Sequence, residues 1–418
     1  MSAFVIKGGR RINGSLRVQG SKNSVLPILA ATYLIGGKSV IHNCPELSDT
    51  NVTIKILKSL GCYVTKDGNS ITVDSSNAVG TEIPENLMRE MRSSVIFLGA
   101  IIGRMKKAVI CAPGGCEIGL RPIDLHLYAV KQLGVDVEED YGKLVCTVPD
   151  TLKGRKITFS FPSVGATENA VLVSATAKGT TTIVNAAREP EIIDLCDFLN
   201  KCGAKISGAG ESVITVCGVE KLTACEHSVI CDRIACATYL IAGAVTGGDI
   251  SLENTNPQHL NAILPLLEEA GCDISVRCKT IRLKAPIRLN KIDKIATQPY
   301  PGFPTDAQAP FTTLASVADG TGVIVENIFE SRFKHIPELV RMGAKIRTEG
   351  RVAVVEGVER LYGAKVIAPD LRGGVALVLA GLCATGETVV ENVKYIDRGY
   401  EDFENNLCML NADVRRGI

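Results

Sequence analysis

The chain has 418 residues, 46% of them hydrophobic and 22% charged, with 46 basic against 45 acidic side chains. That length calls for two domains of roughly 200 residues rather than one small core. The cancelling charge excludes a broad cationic footprint for nucleic acid and a basic face for a membrane surface, while leaving room for a local cationic pocket.

In chain order, residues 4–6 and 15–18 alternate like strands around the Gly8-Gly9 and Asn13-Gly14 turns. Ser21-Lys22-Asn23-Ser24 then opens an apolar helical run over 25–35. This polar opening ahead of a small-residue helix recurs five times. It returns at Arg92-Ser-Ser before 95–102, Gly165-Ala-Thr-Glu168-Asn before 170–177 and Asp232-Arg before 234–245. It returns again at Thr305-Asp306-Ala-Gln before 309–318 and Leu371-Arg372-Gly-Gly before 375–384. A second signal runs alongside: helices end in a turn residue and pass directly to a strand at Gly61, Gly134, Gly203, Gly271, Gly343 and Asn411. The intervals between these are 73, 69, 68, 72 and 68 positions, so six copies of one unit tile the chain. Glycine, or asparagine in its place, suits the left-handed residue just past a helix.

A period near 70 exceeds the roughly 20–50 residues of solenoid repeats, so each unit reads as a small α/β module. Within one unit we expect a strand at 180–184, a helix at 192–201, a hairpin of 204–207 with 213–216, and then the polar-capped apolar helix. Helices this apolar must be buried on most sides, which three of them packed together in each half would achieve. An open α/β sheet is the alternative, but no Gly-x-Gly-x-x-Gly follows a strand, and Gly37-Lys38-Ser39 has Thr32 where a Gly-x-x-x-x-Gly-Lys-Ser/Thr phosphate loop needs its first glycine.

Two features point to chemistry. Cys111-Ala-Pro-Gly-Gly-Cys116-Glu-Ile-Gly-Leu-Arg121-Pro122-Ile123-Asp124 puts a thiol on glycine-rich backbone just ahead of a helix running to Gly134. Free N–H groups, the helix dipole and Arg121 all favour an anion there, although a surface thiol in an ordinary turn has the same composition. The second feature is that Lys22, Arg92, Asp232, Asp306 and Arg372 all stand at starts of the buried helices. Cations at that end oppose the dipole unless an anionic ligand lies between them; solvated caps are the alternative. The 15 cysteines are odd in number and lack Cys-x-x-Cys spacing, which fits reduced thiols in a cytosol better than disulfides or zinc. No apolar run approaches the roughly 18 residues of a membrane span, so the expected location is cytoplasmic.

The runs Gly20-Ser-Lys22-Asn23-Ser, Pro113-Gly-Gly-Cys116 with Arg121-Pro-Ile-Asp124-Leu-His, Phe161-Pro-Ser163-Val-Gly165-Ala-Thr-Glu168-Asn, Tyr300-Pro-Gly-Phe-Pro-Thr305-Asp306, Glu326-Asn-Ile328-Phe-Glu-Ser-Arg332-Phe and Ile396-Asp397-Arg398-Gly-Tyr resemble the UDP-N-acetylglucosamine enolpyruvyl transferases along essentially the whole chain. The resemblance implies transfer of the enolpyruvyl group of phosphoenolpyruvate to the 3-hydroxyl of UDP-N-acetylglucosamine with release of phosphate, the first committed step of peptidoglycan synthesis. It implies two inside-out α/β barrels of three repeats each, with helices inside and sheets outside, one over 22–229 and the other over 1–21 plus 230–418. Substrates would lie in a cleft between them, under the cysteine loop. No metal, cofactor, nucleic acid or membrane is implied, and oligomeric state stays open.

By the same resemblance Cys116 is the acid toward C3 of phosphoenolpyruvate and can add to it covalently, which makes fosfomycin an expected alkylating agent. Asp306 is the candidate base toward the sugar hydroxyl, and it can also cap its helix. Lys22, Arg121 and Arg398 match the positions that hold the phosphate and carboxylate, with Arg332 and Arg372 close by. Asn23 and Arg92 resemble further substrate contacts. Arg121, Pro122, Ile123, Asp124 and Leu125, with Ser163, Val164 and Gly165, match segments that touch the nucleotide, and Ile328 matches a sugar contact through its backbone. Gly373-Gly374 departs from the Ala-Ser or Ala-Gly of many relatives, which leaves the packing around Arg372 open. The shikimate-pathway enolpyruvyl transferases are the nearest rival reading, and a silent sugar-nucleotide binder is the rival from another class.

Overall fold

The computed structural model describes residues 2–111 and 123–417, so the predicted site residues Cys116, Arg121 and Pro122 lie outside the described residues. The described chain falls into two compact units. One joins the first 19 residues to the segment from Cys231 onward, and the other runs from Gly20 to Ile230. Each has its own apolar core.

The six polar-opened runs are all helical: Lys22–Ile35, Phe97–Met105 after a short turn of 3-10 helix at Arg92–Ile96, Val164–Ser174, Arg233–Val245, Gln308–Ser316 and Leu371–Cys383. In each unit three of these helices pack on one another. Their residues are almost entirely buried, as helices apolar on every face must be. In the Gly20–Ile230 unit the strands form one three-stranded and two four-stranded sheets, and the other unit has three four-stranded sheets and a two-stranded pair. The expected barrel is therefore not seen as a closed cylinder among the described residues. The strands stay in separate small sheets, and the class established is mixed α/β.

The unit expected at 180–217 is built as a strand Thr180–Val184, a helix Pro190–Lys201 and strands Lys205–Ser207 and Val213–Cys217. All six predicted turn residues are left-handed, with φ of 93°, 93°, 97°, 94° and 97° at the glycines and 64° at Asn411. The N-terminal strand Ala3–Lys7 pairs antiparallel with Glu387–Glu391 and Asp413–Gly417, completing a sheet that the end of the chain begins.

A second repeated position was not read from the sequence. Asn43, Asn185 and Asn254 each follow a strand with φ of 57°. Their side-chain amides donate to the carbonyls of Val229, Phe159 and Val18 at 2.9, 2.9 and 2.8 Å, each just beyond a neighbouring parallel strand. Asn327 donates likewise to the carbonyl of Thr297 at 3.1 Å. These clamped residues lead within a few positions to the starts of buried helices, so the same device anchors the segments on which the candidate residues stand.

Candidate active site

In the Gly20–Ile230 unit, Lys22 is the first residue of its helix and is nearly buried. Its Nζ lies 2.8 Å from Asp49 Oδ2 at the start of helix Ser48–Ser59. A buried ammonium needs such a partner, since desolvation otherwise favours its neutral form. Asn23 follows on the same turn, half-buried, and Arg92 opens its 3-10 turn, half-buried.

Two segments expected from the sequence to touch the nucleotide meet at one helix start. Ser163 Oγ accepts from the N–H of Ala166 at 3.4 Å, capping helix Val164–Ser174. Against Gly165 lies the imidazole of His126, which follows the predicted Ile123, Asp124 and Leu125 on helix Asp124–Gln132. A Cβ on Gly165 would stand 2.8 Å from His126 Cε1, so only glycine lets the ring approach. Asn169 Nδ2 donates to His126 Nδ1 at 2.7 Å and to the Val95 carbonyl at 3.1 Å, and its Oδ1 accepts from the Gly99 N–H at 2.6 Å. His126 Nδ1 therefore accepts, and the ring proton sits on Nε2, facing Gly165. Glu168 on the same helix is fully buried, and burial, reinforced by Glu191 and Glu189, pushes its carboxyl up to about 8. Helix N–H groups and a histidine N–H together suit a phosphate oxygen.

The other unit brings three predicted residues into direct contact. Asp306 Oδ1 accepts from Arg332 Nη2 at 2.7 Å, and Oδ2 accepts from Arg372 Nη2 at 3.1 Å. Both arginines are 4% exposed. Burial opposes the Arg372 charge, but Asp306 and Tyr400 outweigh it and hold the guanidinium firmly protonated. Arg372 Nη1 donates to Tyr400 Oη at 2.9 Å, and that hydroxyl shares a hydrogen bond of 2.7 Å with Thr238. Behind Arg332, the fully buried His335 donates from Nδ1 to its carbonyl at 3.2 Å. Burial lowers His335 to about 4; Asp370 opposes that shift and Arg332 adds to it, so the ring is neutral.

The loop before Arg332 is organised by Glu326, which is wholly buried. Its Oε1 accepts from Thr297 Oγ1 (2.9 Å) and the N–H groups of Ile328 (2.8 Å) and Phe329 (3.1 Å), and its Oε2 accepts from Thr305 Oγ1 (2.9 Å). Of the Ile328 backbone, expected to contact the sugar, the N–H is thus committed to Glu326. Arg398 ends the turn Val393–Arg398 half-buried, and the neighbouring Asp397 accepts from Arg416 at 2.7 and 3.0 Å. Gly373 and Gly374 sit where a Cβ would come 2.8 Å from Pro369 and from Ala368, so close packing around the Arg372 helix start accounts for both.

Sequence reading passed over Asp49, His126, Asn169, Thr238, Glu326 and Tyr400. His126, Asn169, Glu326 and Tyr400 stand inside runs already quoted, where their types signalled a polar role. Asp49 and Thr238 carried no signal beyond a position near a helix start. Among the described residues no group of three or more His, Cys, Asp or Glu side chains is placed to hold a metal ion, and no helix is long and apolar enough to cross a membrane.

The sequence model of the EPSP synthase (3-phosphoshikimate 1-carboxyvinyltransferase) family matches residues 6–407. UDP-N-acetylglucosamine 1-carboxyvinyltransferase 2 of Caldanaerobacter subterraneus subsp. tengcongensis is 51% identical over 416 residues, covering 100% of both chains. UDP-N-acetylglucosamine 1-carboxyvinyltransferase 1 of Symbiobacterium thermophilum is 48% identical, covering 99% of this chain and 95% of that protein. Among solved structures, the enolpyruvyl transferase NikO from Streptomyces tendae matches with a TM-score of 0.89 and 26% identity, over 99% of this chain and 98% of NikO. EPSP synthase from Acinetobacter baumannii shares the fold alone, with a TM-score of 0.77 and 17% identity over 100% of both chains.

Proposed function

The chain belongs to the EPSP synthase family of enolpyruvyl transferases, and from that membership we infer that it transfers the enolpyruvyl group of phosphoenolpyruvate to the 3-hydroxyl of UDP-N-acetylglucosamine, releasing phosphate. The observation that carries the choice of acceptor is the 45–51% full-length identity to UDP-N-acetylglucosamine 1-carboxyvinyltransferases. This reaction is the committing step of peptidoglycan synthesis, and we place it in the cytoplasm.

The sugar oxygen attacks C2 of phosphoenolpyruvate as its proton leaves and another proton reaches C3. Loss of a C3 proton with departure of phosphate then restores the double bond. Addition needs a base at the hydroxyl, an acid at C3 and cations for the carboxylate and phosphate. We assign the base to Asp306 and the acid to Cys116, whose thiol can also form the pyruvate adduct. Lys22, Arg121 and Arg398 take the phosphate and carboxylate, supported by Arg332 and Arg372, whose planar forks suit oxyanions. Asn23 and Arg92 add contacts to the same substrates. The UDP group falls to Arg121–Leu125 and to Ser163, Val164 and Gly165, where the capped helix and His126 supply donors. The sugar falls to Ile328, through its carbonyl, since its N–H serves Glu326. The separate small sheets and central helices of each unit are consistent with the inside-out arrangement, which we propose as the finer description of the fold.

The test is phosphate release from phosphoenolpyruvate with UDP-N-acetylglucosamine or shikimate 3-phosphate as acceptor, before and after fosfomycin. Turnover with the nucleotide sugar alone, abolished by fosfomycin and insensitive to it in Cys116→Asp, is expected. Turnover with shikimate 3-phosphate alone would overturn the assignment.

A further inference from the structure

One buried acid has no role in the reaction described above. Asp194, on helix Pro190–Lys201, is 4% exposed, and its carboxylate is fully engaged. Oδ1 accepts from His227 Nε2 at 2.8 Å, while Oδ2 accepts from the N–H of Ile230 at 3.2 Å and from the hydroxyl of Ser24. Lys201 Nζ lies 3.1 Å from His227 Nδ1. An ammonium can only donate, so Nδ1 accepts and Nε2 carries the proton that Asp194 receives. The chain of donors from Lys201 through His227, with Ser24 and Ile230 arriving from the other side, converges on one carboxylate. Charge-assisted bonds of this kind are the stronger class.

What this cluster encloses gives it a use. The carbonyl of Ile230 accepts from the N–H of Ser21 at 2.7 Å. A closed circuit of bonds therefore runs from Asp194 to Ser24, back along the chain to Ser21, across to Ile230 and back to Asp194. Lys22 and Asn23 are the two residues inside it. Beyond the circuit, Lys22 Nζ reaches Asp49 at 2.8 Å, so the lysine is fixed at its backbone by Asp194 and at its tip by Asp49.

We propose that Asp194 is a positioning residue for Lys22 and Asn23, holding the helix start that meets phosphoenolpyruvate. The proposal rests on the enolpyruvyl transfer reading. Displacements near 1 Å at a substrate contact cost up to about a hundredfold in rate, which is the scale on which a buried anchor two residues from a contact matters.

Asp194→Asn keeps the shape and turns one accepting oxygen into a donor that faces other donors. In phosphate-release kinetics with each substrate varied in turn, the KM for phosphoenolpyruvate is expected to rise about tenfold and that for UDP-N-acetylglucosamine to stay within about twofold. Ser24→Ala removes one bond and leaves the carboxylate, so it serves if Asp194→Asn does not fold. Its expected rise is about threefold. Acylation of Lys22 by acetic anhydride, read by mass spectrometry, supplies a measure independent of turnover and is expected to quicken several-fold in either variant. Unchanged Lys22 acylation in a folded variant, or both KM values rising together with a fall in Tm, would overturn the positioning role. An unsubstituted chain that released no phosphate would instead refute the reaction, with Lys22 acylation still deciding the role of Asp194.

Discussion

Removing the carboxylate of Glu326 is the sharpest perturbation of the Asp306 side of the site. Four donors converge on it: the hydroxyls of Thr297 and Thr305 and the N–H groups of Ile328 and Phe329. Hydrogen bonds to a charged group contribute about 1.5–3 kcal/mol each, but a shared acceptor makes them far from additive. Glu326→Gln can keep its carbonyl toward the three donors at Oε1 and let the Thr305 hydroxyl rotate to accept, which costs about 1 kcal/mol for the lost charge. Glu326→Ala orphans two buried N–H groups and opens space at a wholly buried position, and costs about 4 kcal/mol. For a domain of this size, Tm moves about 2–4 °C per kcal/mol, so scanning calorimetry should give a drop of about 3 °C for Gln and about 12 °C for Ala. Because Thr305 is adjacent to Asp306, phosphate release should fall at least tenfold in the alanine variant and only a few-fold in glutamine. An alanine variant that melted within about 2 °C of the parent would refute the reasoning, since its orphaned donors would have been satisfied at no cost.

Gly165→Ala forces the His126 ring off its 2.7 Å bond with Asn169, and calorimetric titration should show UDP-N-acetylglucosamine binding weakened about tenfold; unchanged affinity would remove the nucleotide from that helix start. Arg372→Lys can reach Asp306 or Tyr400 but not both, so kcat for phosphate release should fall about a hundredfold, and a near-normal kcat would show that the fork is not needed. Glu168, raised to about 8 in the folded chain, keeps a proton that the unfolded chain releases above about 4.3, so it makes stability fall as pH rises between those values, by up to ~1.4 kcal/mol per unit. Glu168→Gln should therefore lose less Tm between about pH 5.5 and 8 than the parent, and equal losses would mean the carboxyl is not held neutral.

Much of the scaffold was legible because it rests on strong local signals. A glycine at Gly61, Gly134, Gly203, Gly271 and Gly343 marks backbone that other residues adopt only with strain, and the runs after the polar openings are too apolar to be anything but buried. The asparagine clamps at Asn43, Asn185 and Asn254 escaped notice because a side-chain amide reaching a distant carbonyl leaves no local pattern. The same reason hid Asp49 and Asp194, whose partners lie far along the chain in Lys22 and in His227. Helix-start position made Asp306 and Arg372 candidates and the family resemblance added Arg332, but only the fold brings two guanidiniums onto one carboxylate. Ile328 illustrates the opposite limit, because a backbone contact inferred from sequence does not say which group is available, and Glu326 has already taken the N–H.

The cations at helix starts, backwards for a lone dipole, have a physical resolution in the carboxylates that accompany them. A cation in the first turn costs about 0.3–1 kcal/mol against the dipole. Lys22 offsets this with Asp49, whose Oδ2 lies 2.8 Å from its Nζ. Arg372 stands after Asp370, whose Oδ1 caps the N–H groups of Arg372 and Gly373 at 2.9 and 3.0 Å, so the helix end is satisfied by an acid while the guanidinium projects away toward Asp306. Arg233 follows Asp232 in the same order, with the acid again on the helix N–H groups. Capping and ligand binding are therefore not competing readings of these positions: the acid takes the backbone and leaves the cation for something else. At Asp306 that remainder is largest, because among the described residues two buried guanidiniums make direct contact with one carboxylate, and neither Nε has an acceptor there. Buried guanidiniums whose Nε groups lack acceptors gain far more from an arriving anion than an exposed cap would, which is why this cluster should add, beside Lys22, to the preference for a carboxylate-bearing substrate.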